Sequence, residues 1–467
     1  MSMQILLVED EDTSAELAIT SIRRVDESVE VVVMGDRDSA INEIRQHDHD
    51  LIICDIRIPP NSQSVDIDES HGLAVHAVAR DVCPGTPLVF LTGFRTSDAT
   101  RRRLSAGGVS DIFGLRAHPM VQLVDKDDPL RLEDVVREFV EALATLDIAC
   151  VVHNDNDVNP AFVRAVQTYA SYTNHSAANV QSSSGLSGAT VGRVRLESQS
   201  QAAANFILKV LPFEDAADEF ERYRNFVASR LAPGVFAPTV MSISAGLRKQ
   251  SGLISTLAGD GYQSVFRLLR ENPSEAARVV SHLRDKLAPW YDNPATNMIT
   301  LRELRREKAS DDVTSRPEPL GDRLDVIEEL EIEMPRVITH GDMHGENILV
   351  DRRGQPLLID FGDVGFGHAP VDPVTLELSL IYHVEGPARD NAIGSSIDWQ
   401  SWPDISQCYG SSPLSAFASE CRSWADEVGS PRATLAFGYA HSLRQLKYPD
   451  VAAQIAIAIA QACAGAI

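Results

Sequence analysis

The chain lacks paired cysteines, a basic excess, a leader-like start and any long uninterrupted apolar run. Its six cysteines stand at 54, 83, 150, 408, 421 and 463. None has the close spacing of a zinc site or disulfide framework, so reduced thiols and a cytoplasmic setting are expected. Against 67 acidic side chains there are only 42 Lys and Arg, a formal charge of −25. A broad nucleic-acid or anionic-membrane footprint is therefore disfavoured, because like charge repels phosphate. The local exception is Arg302, Arg305, Arg306 and Lys308, which reads as a solvated helix face, with a functional basic patch as the alternative. The start, Met-Ser-Met-Gln-Ile-Leu-Leu-Val, has no basic region before its apolar residues and reads as a strand. Residues 451–467 are apolar but Ala-rich, interrupted by Gln454 and Gln461 and too short to favour a membrane span. A buried terminal helix is expected there, or else a helix that binds a partner.

What is present is an ordinary globular composition, 44% apolar and 23% charged over 467 residues, enough for about three domains. Short β-branched runs at 5–8, 29–34, 51–54, 88–91 and 121–124 alternate with helical patterns at 13–24, 37–46, 72–80, 96–106 and 129–146. That alternation predicts a doubly wound five-stranded parallel sheet over 1–147, with its site at the carboxyl ends of the strands. A polar stretch at 148–160 reads as a linker or a domain entry. Strand-like runs at 191–197, 204–211, 238–243 and 252–257 then predict a small sheet-rich lobe over 161–259. Beyond it, 260–467 is mostly helical, broken by strands at 347–351 and 356–360.

Glu9 and Asp10 end the first strand, Asp55 the third, Thr92 the fourth, and Lys126 the fifth. Carboxylates so close repel unless a divalent cation lies among them, and hard oxygen ligands suit Mg²⁺. Asp55 can then attack a phosphoryl donor, while Thr92 and Lys126 engage the arriving oxygens. Val-Glu-Asp, Ile-Ile-Cys-Asp-Ile-Arg-Ile-Pro, Leu-Thr-Gly and Val-Asp-Lys-Asp-Asp resemble the receiver domain of bacterial response regulators. The resemblance implies Glu9 and Asp10 as the acidic pair, Asp55 as phosphoacceptor, the Arg57 backbone carbonyl as a further metal ligand, a flavodoxin-like fold, and a sensor histidine kinase or other phosphodonor. It also implies a possible homodimer. Three departures stand out: a long acidic loop at 60–71, an inserted stretch at 107–120, and Leu123 in place of the usual aromatic, unless Phe113 replaces it.

A second set of residues lies further on. Lys209 sits in the strand pattern Asn-Phe-Ile-Leu-Lys-Val-Leu, after a loop bearing Gly185 and Gly188 and before a helix bearing Glu219 and Glu221. A lysine so placed can face nucleotide phosphates, with Glu219 the preferred partner. In Ile-Thr-His-Gly-Asp-Met-His-Gly-Glu-Asn, Asp342 can take a proton from an alcohol, and Asn347 and Asp360 can hold magnesium. His340 is expected to orient this loop, and His344 has no assigned role. The pattern resembles the aminoglycoside phosphotransferase and choline-kinase-like branch of the protein-kinase fold. That resemblance implies ATP and Mg²⁺ as cofactors, Ser255–Ala258 as the adenine hinge and Asp372 as a positioning acid. No motif identifies the hydroxyl-bearing acceptor.

The expected protein is a signalling enzyme in which Asp55 phosphorylation regulates an ATP-dependent phosphotransferase, without nucleic-acid or membrane partners. The alternative is a nucleotide-binding pseudokinase scaffold whose assembly the receiver controls.

Overall fold

In the computed structural model of the chain, residues 2–92, 108–154, 159–184, 189–259, 261–314 and 324–467 are described. The expected helix at 96–106, and Gly185 and Gly188, lie outside them. The strands that open the chain are β1 (Gln4–Val8), β2 (Glu30–Met34), β3 (Leu51–Asp55), β4 (Leu88–Thr92) and, after a hairpin, β7 (Val121–Asp125). They form one sheet in the order β2-β1-β3-β4-β7, with every pair parallel. β3 and β4 are buried along their whole length, as strands covered on both faces must be. Helices α1 (Asp12–Val25), α2 (Arg37–Gln46), α3 (Glu69–Val82) and α4 (Pro129–Ala149) cover the sheet. Ile22, Val136 and Phe139 pack on one face, and Ile44, Val75 and Ala79 on the other. This is the doubly wound sheet expected from the alternating pattern.

The inserted stretch folds as a hairpin, β5 (Val109–Ile112) with β6 (Leu115–Pro119). The segment read as a linker is partly a strand: β8 (Val151–Asn154) pairs in parallel with β9 (Ala177–Ser184). Helix α5 (Pro160–Thr173) lies between them in the chain. β9 continues through β10 (Thr190–Glu197), β11 (Ala204–Pro212), β13 (Gln250–Leu257) and β12 (Thr239–Ile243) into a six-stranded sheet, antiparallel apart from its first pair. Phe162, Ala165 and Val166 of α5 pack against Val194, Phe206 and Leu208 of that sheet.

The chain divides into two compact units, Met1–Ala217 with Thr239–Gly259, and Asp218–Pro238 with Asp260–Ile467. The division runs through helix α6 (Phe213–Arg222). The five-stranded domain and the six-stranded lobe thus belong to one compact unit.

Their joint is built at the start of the parallel strands. Asp50, directly before β3, is 1% exposed and accepts from Arg248 Nε at 2.8 Å, Arg248 Nη2 at 2.9 Å and Arg164 Nη1 at 2.7 Å. Burial works against its ionised form, but the Arg248 hydrogen bonds and both guanidinium charges outweigh it, so the carboxyl titrates below its ordinary value. The loop between α3 and β4 docks beside it, Gly85 N–H donating to the Arg248 carbonyl and Gly246 N–H to the Gly85 carbonyl. A Cβ on Gly85 would stand 2.2 Å from the Ser244 carbonyl oxygen, so this approach requires glycine. Phe113, at the hairpin tip, is buried beneath the Arg164 guanidinium, 5.1 Å from ring centre to Cζ. Nothing in this placement makes Phe113 a substitute for the aromatic missing at Leu123.

The second unit holds two three-stranded sheets, β14-β17-β18 and β15-β16-β19, from β14 (Gln263–Ser264), β15 (Ala295–Thr300), β16 (Glu331–Thr339), β17 (Ile348–Val350), β18 (Pro356–Leu358) and β19 (Gly365–His368). The rest is mainly helical: α7 (Val265–Glu271), α8 (Pro273–Tyr291), α9 (Leu301–Lys308), α10 (Val371–Tyr382), α11 (Ser415–Val428), α12 (Pro431–Gln445) and α13 (Ala453–Ala466). The apolar tail is α13, whose Ile459, Ala460 and Cys463 are buried in this unit's core, as a terminal core helix requires. No helix among the described residues is long and apolar enough to cross a membrane.

Asp50→Ala leaves two guanidiniums without their carboxylate, which costs about 3–5 kcal/mol for a buried pair broken on one side. The urea midpoint of the first unit should fall accordingly. Because the folded-state value of Asp50 is depressed, its contribution is complete above the ordinary Asp range and is lost as pH falls through and below it.

Candidate functional sites

The first expected site lies in the first unit, and the Asp342, Asn347 and Asp360 part of the second lies in the second unit. In the first, Glu9, Asp10 and Asp55 offer carboxylate oxygens that all lie within 4.8 Å of one another. Lys126, following β7, donates to Asp55 Oδ2 at 2.8 Å and lies 2.6 Å from Glu9 Oε2. The contact with Glu9 is an ion pair without hydrogen-bond geometry, so this buried oxygen has no hydrogen-bond partner. Burial pushes the Glu9 and Asp10 carboxyls up, and the Asp55 charge adds to this in both. Burial alone would lower Lys126, yet its hydrogen bond to Asp55 and its ion pair with Glu9 raise it. A crowded, hard-oxygen, partly orphaned set of this kind fits a small divalent cation such as Mg²⁺. Arg57 N–H donates to Asp55 Oδ1 at 3.1 Å, which keeps Arg57 beside the acceptor carboxylate. Thr92 is buried at the end of β4, and its carbonyl accepts from Lys126 N–H at 3.0 Å. The expected residues are therefore gathered at one edge of the sheet.

In the second unit the loop after β16 is anchored from below by Asp372, at the first turn of α10. Its carboxylate is fully buried and accepts from the His340 and Gly341 N–H groups at 2.8 and 3.0 Å. Burial raises this carboxyl, while His340 and the two backbone donors act the other way. Gly341 has φ +84°, and a Cβ there would stand 2.5 Å from the Asp363 carbonyl oxygen, which accounts for glycine in the His-Gly-Asp turn. Asp342 follows, half-buried. Asn347 Nδ2 donates to the Asp342 carbonyl at 2.9 Å, which leaves Oδ1 as the amide atom available to a cation. The Asn347 carbonyl accepts from Ile359 N–H at 3.1 Å, tying the loop to the segment that carries Asp360. Asp360 has φ +64°, a conformation that costs a non-glycine residue on the order of 1–3 kcal/mol and that clusters at functional sites. An amide oxygen and a carboxylate held so close in the backbone suit a magnesium ion.

His340, expected to orient this loop, has its Nε2 3.1 Å from the Ile359 carbonyl. His344, without a role in the sequence reading, has Nε2 3.7 Å from Asp342 Oδ2, with its ring tilted against that of His383, centres 4.4 Å apart. Burial, then the neighbouring His340, pushes His344 down to about 4, and burial does the same for His383, to about 4. Both are neutral near pH 7. Three positions separate His344 from Asn347, but no local pattern in the sequence points to the His383 partner.

Lys209 lies on β11, opposite Val191 and Leu253, in the first unit. Glu219 is buried in α6, within the second. Ser255 to Leu257 close β13, with Ala258 just beyond. The basic cluster departs from a solvated face. Arg305 is buried and forks onto Glu328 at 2.9 and 2.9 Å, Arg302 pairs with both Glu328 and the exposed Glu329, Lys308 is half-buried, and Arg306 pairs with the exposed Asp311.

Comparison with known families finds two domains, the second of which takes in residues of both units. The model of the response regulator receiver domain matches residues 5–113, and that of the phosphotransferase enzyme family residues 184–400. The chain thus carries a flavodoxin-like receiver domain and a kinase-like phosphotransferase-family domain, the makeup of a two-component-type regulator. Among solved structures, a CheY-like receiver protein from Methanospirillum hungatei JF-1 is 16% identical over 31% of this chain and 98% of its own, with a TM-score of 0.24. A receiver domain of a putative Luxo repressor protein from Vibrio parahaemolyticus is 19% identical over 32% and 96%, with a TM-score of 0.24. The receiver domain of a sensor histidine kinase from Pseudomonas aeruginosa PAO1, which coordinates magnesium in its active-site cleft, is 17% identical over 30% and 99%, with a TM-score of 0.22. No curated protein matches the chain.

The lowered histidines set a pH dependence. Between about 4 and 6.5 the unfolded chain binds protons that His344 and His383 refuse when folded, so stability rises with pH across that window. Denaturant midpoints of the second unit should drop on acidification from pH 6.5, by on the order of 3 kcal/mol for His344. His344→Asn with His383→Asn should flatten the slope.

Proposed function

We propose that the chain is an ATP-dependent phosphotransferase acting on a hydroxyl acceptor, regulated by phosphorylation of Asp55 in its receiver domain. Asp342 takes the proton of the acceptor hydroxyl as its oxygen bonds to the γ-phosphorus of ATP and ADP departs. Asn347 and Asp360 hold the magnesium ion that neutralises charge on the phosphates. Lys209 supplies an ammonium to the nucleotide phosphates. In the receiver, Glu9, Asp10, Asp55 and the Arg57 carbonyl hold a second magnesium, Asp55 accepts a phosphoryl group from a histidine kinase or other phosphodonor, and Thr92 and Lys126 engage its oxygens. The receiver acts on the lobe through the Asp50 joint.

The observation that carries the reading is the pair of bonds from Asn347, one to Asp342 and one to the residue before Asp360, which draws base and metal ligands into one linked loop. A scaffold that only binds nucleotide has no need of the exposed carboxylate at Asp342.

The test combines two substitutions. Asp342→Asn should lower ATP-dependent transfer about 10²–10⁴-fold, the usual contribution of a general base. Binding of a fluorescent ATP analogue with Mg²⁺ should persist. Asp55→Asn should abolish labelling of the chain by acetyl phosphate. Transfer undiminished in Asp342→Asn, or labelling retained in Asp55→Asn, contradicts the assignment.

A further inference from the structure

Beside the catalytic loop the second unit holds a cleft of about 410 Å³, bordered by Gly341 and Asp363. That volume suits a small molecule rather than an extended peptide. Its charge runs against the rest of the chain. In a protein of net charge −25, this wall gathers Arg222, Lys308, Arg336, Arg444 and Lys447, with only Glu307 and Asp363 as acids. Glu307 is already engaged, 3.0 Å from His368 Nε2.

Arg222 pairs with Asp218, but Lys308, Arg336, Arg444 and Lys447 make no ion pair among the described residues. Two guanidiniums are held by carbonyls instead, Arg336 by Phe366 and Arg222 by Val364, each at 3.3 Å. Of the two, Arg336 is oriented without a paired carboxylate. Lys308 is half-buried, and its ammonium faces the Phe437 ring at 5.4 Å rather than a contacting carboxylate. A partly buried cation with no carboxylate in direct contact is costly, and an anionic ligand supplies that contact.

We propose that this cleft binds an anionic group, phosphate or carboxylate, and, resting on the function proposed above, that the acceptor is a small alcohol carrying such a group. Gly341 immediately precedes Asp342, so a ligand anchored here lies next to the proposed base. The oriented guanidiniums supply forked donors for the anion, and Lys308 and Lys447 supply point charges.

The experiment uses the full chain. Inorganic phosphate, glycerol 3-phosphate and glycerate are titrated calorimetrically beside choline and an aminoglycoside, with Mg²⁺ and a non-hydrolysable ATP analogue present. The anions should bind, more weakly as salt is raised, and Arg336→Glu with Lys447→Glu should weaken them at least about tenfold, since each charge reversal replaces attraction by repulsion. Both positions are exposed, so the variant should fold, and unchanged binding of the ATP analogue would show that it does. Absence of anion binding, equal binding in the variant, or binding of the cations alone overturns the proposal. Phosphoryl transfer to a cationic alcohol only would retain the phosphotransferase and defeat this inference. Anion binding without any transfer from ATP would retain the anion site and defeat the phosphotransferase reading and, with it, the acceptor assignment.

Discussion

The first unit depends on one buried carboxylate. Asp50 is held between Arg164 and Arg248, and through them the five-stranded domain is fixed to the six-stranded lobe. Three strands that carry phosphate-site residues at their far ends set out from this joint. β3 runs from Asp50 to Asp55, and β4 follows the Gly85 loop and ends in Thr92. β7 follows the Phe113 hairpin and leads to Lys126. Because β3 and β4 are short and wholly buried, a shift at one end has little room to be absorbed before the other. Hairpin, glycine loop and ion pair together make the receiver an integral part of the lobe rather than a tethered accessory.

The second unit solves a related problem with a different buried acid. Asp372 fixes the His-Gly-Asp turn by two backbone bonds, and Asn347 then ties that turn to the segment bearing Asp360. The result is a rigid loop whose half-exposed Asp342 stands beside a basic cleft in a strongly acidic protein. Both candidate sites are therefore positioned by buried carboxylates that lie outside the proposed site residues.

Much of this was legible in the sequence where residues near in the chain decide the structure. The parallel strands announce themselves because strands buried on both faces are continuously apolar, and the phosphate-site residues follow from where those strands end. β9 did not, since Ala177 to Ser184 is polar and becomes a strand through pairing with β8 and β10. β16 did carry a signal, the alternation Glu331-Ile332-Glu333-Met334 that matches its exposed and buried sides. Long-range partners were invisible: Asp50 and Arg248 are 198 positions apart, and Glu328 turns Arg305 from an apparent surface charge into a buried one. The insertion at 107–120 could be counted, but its docking role depends on Arg164 and Gly246, which no spacing connects to it.

The account's central claim is that phosphorylation of Asp55 reaches the phosphotransferase through this joint. The direct measurement is ATP-dependent transfer with and without acetyl phosphate, in the native chain and in Asp50→Asn. The account predicts a changed rate in the native chain and no change in the variant, with basal transfer retained. An equal response in both, or none in the native chain, would contradict it.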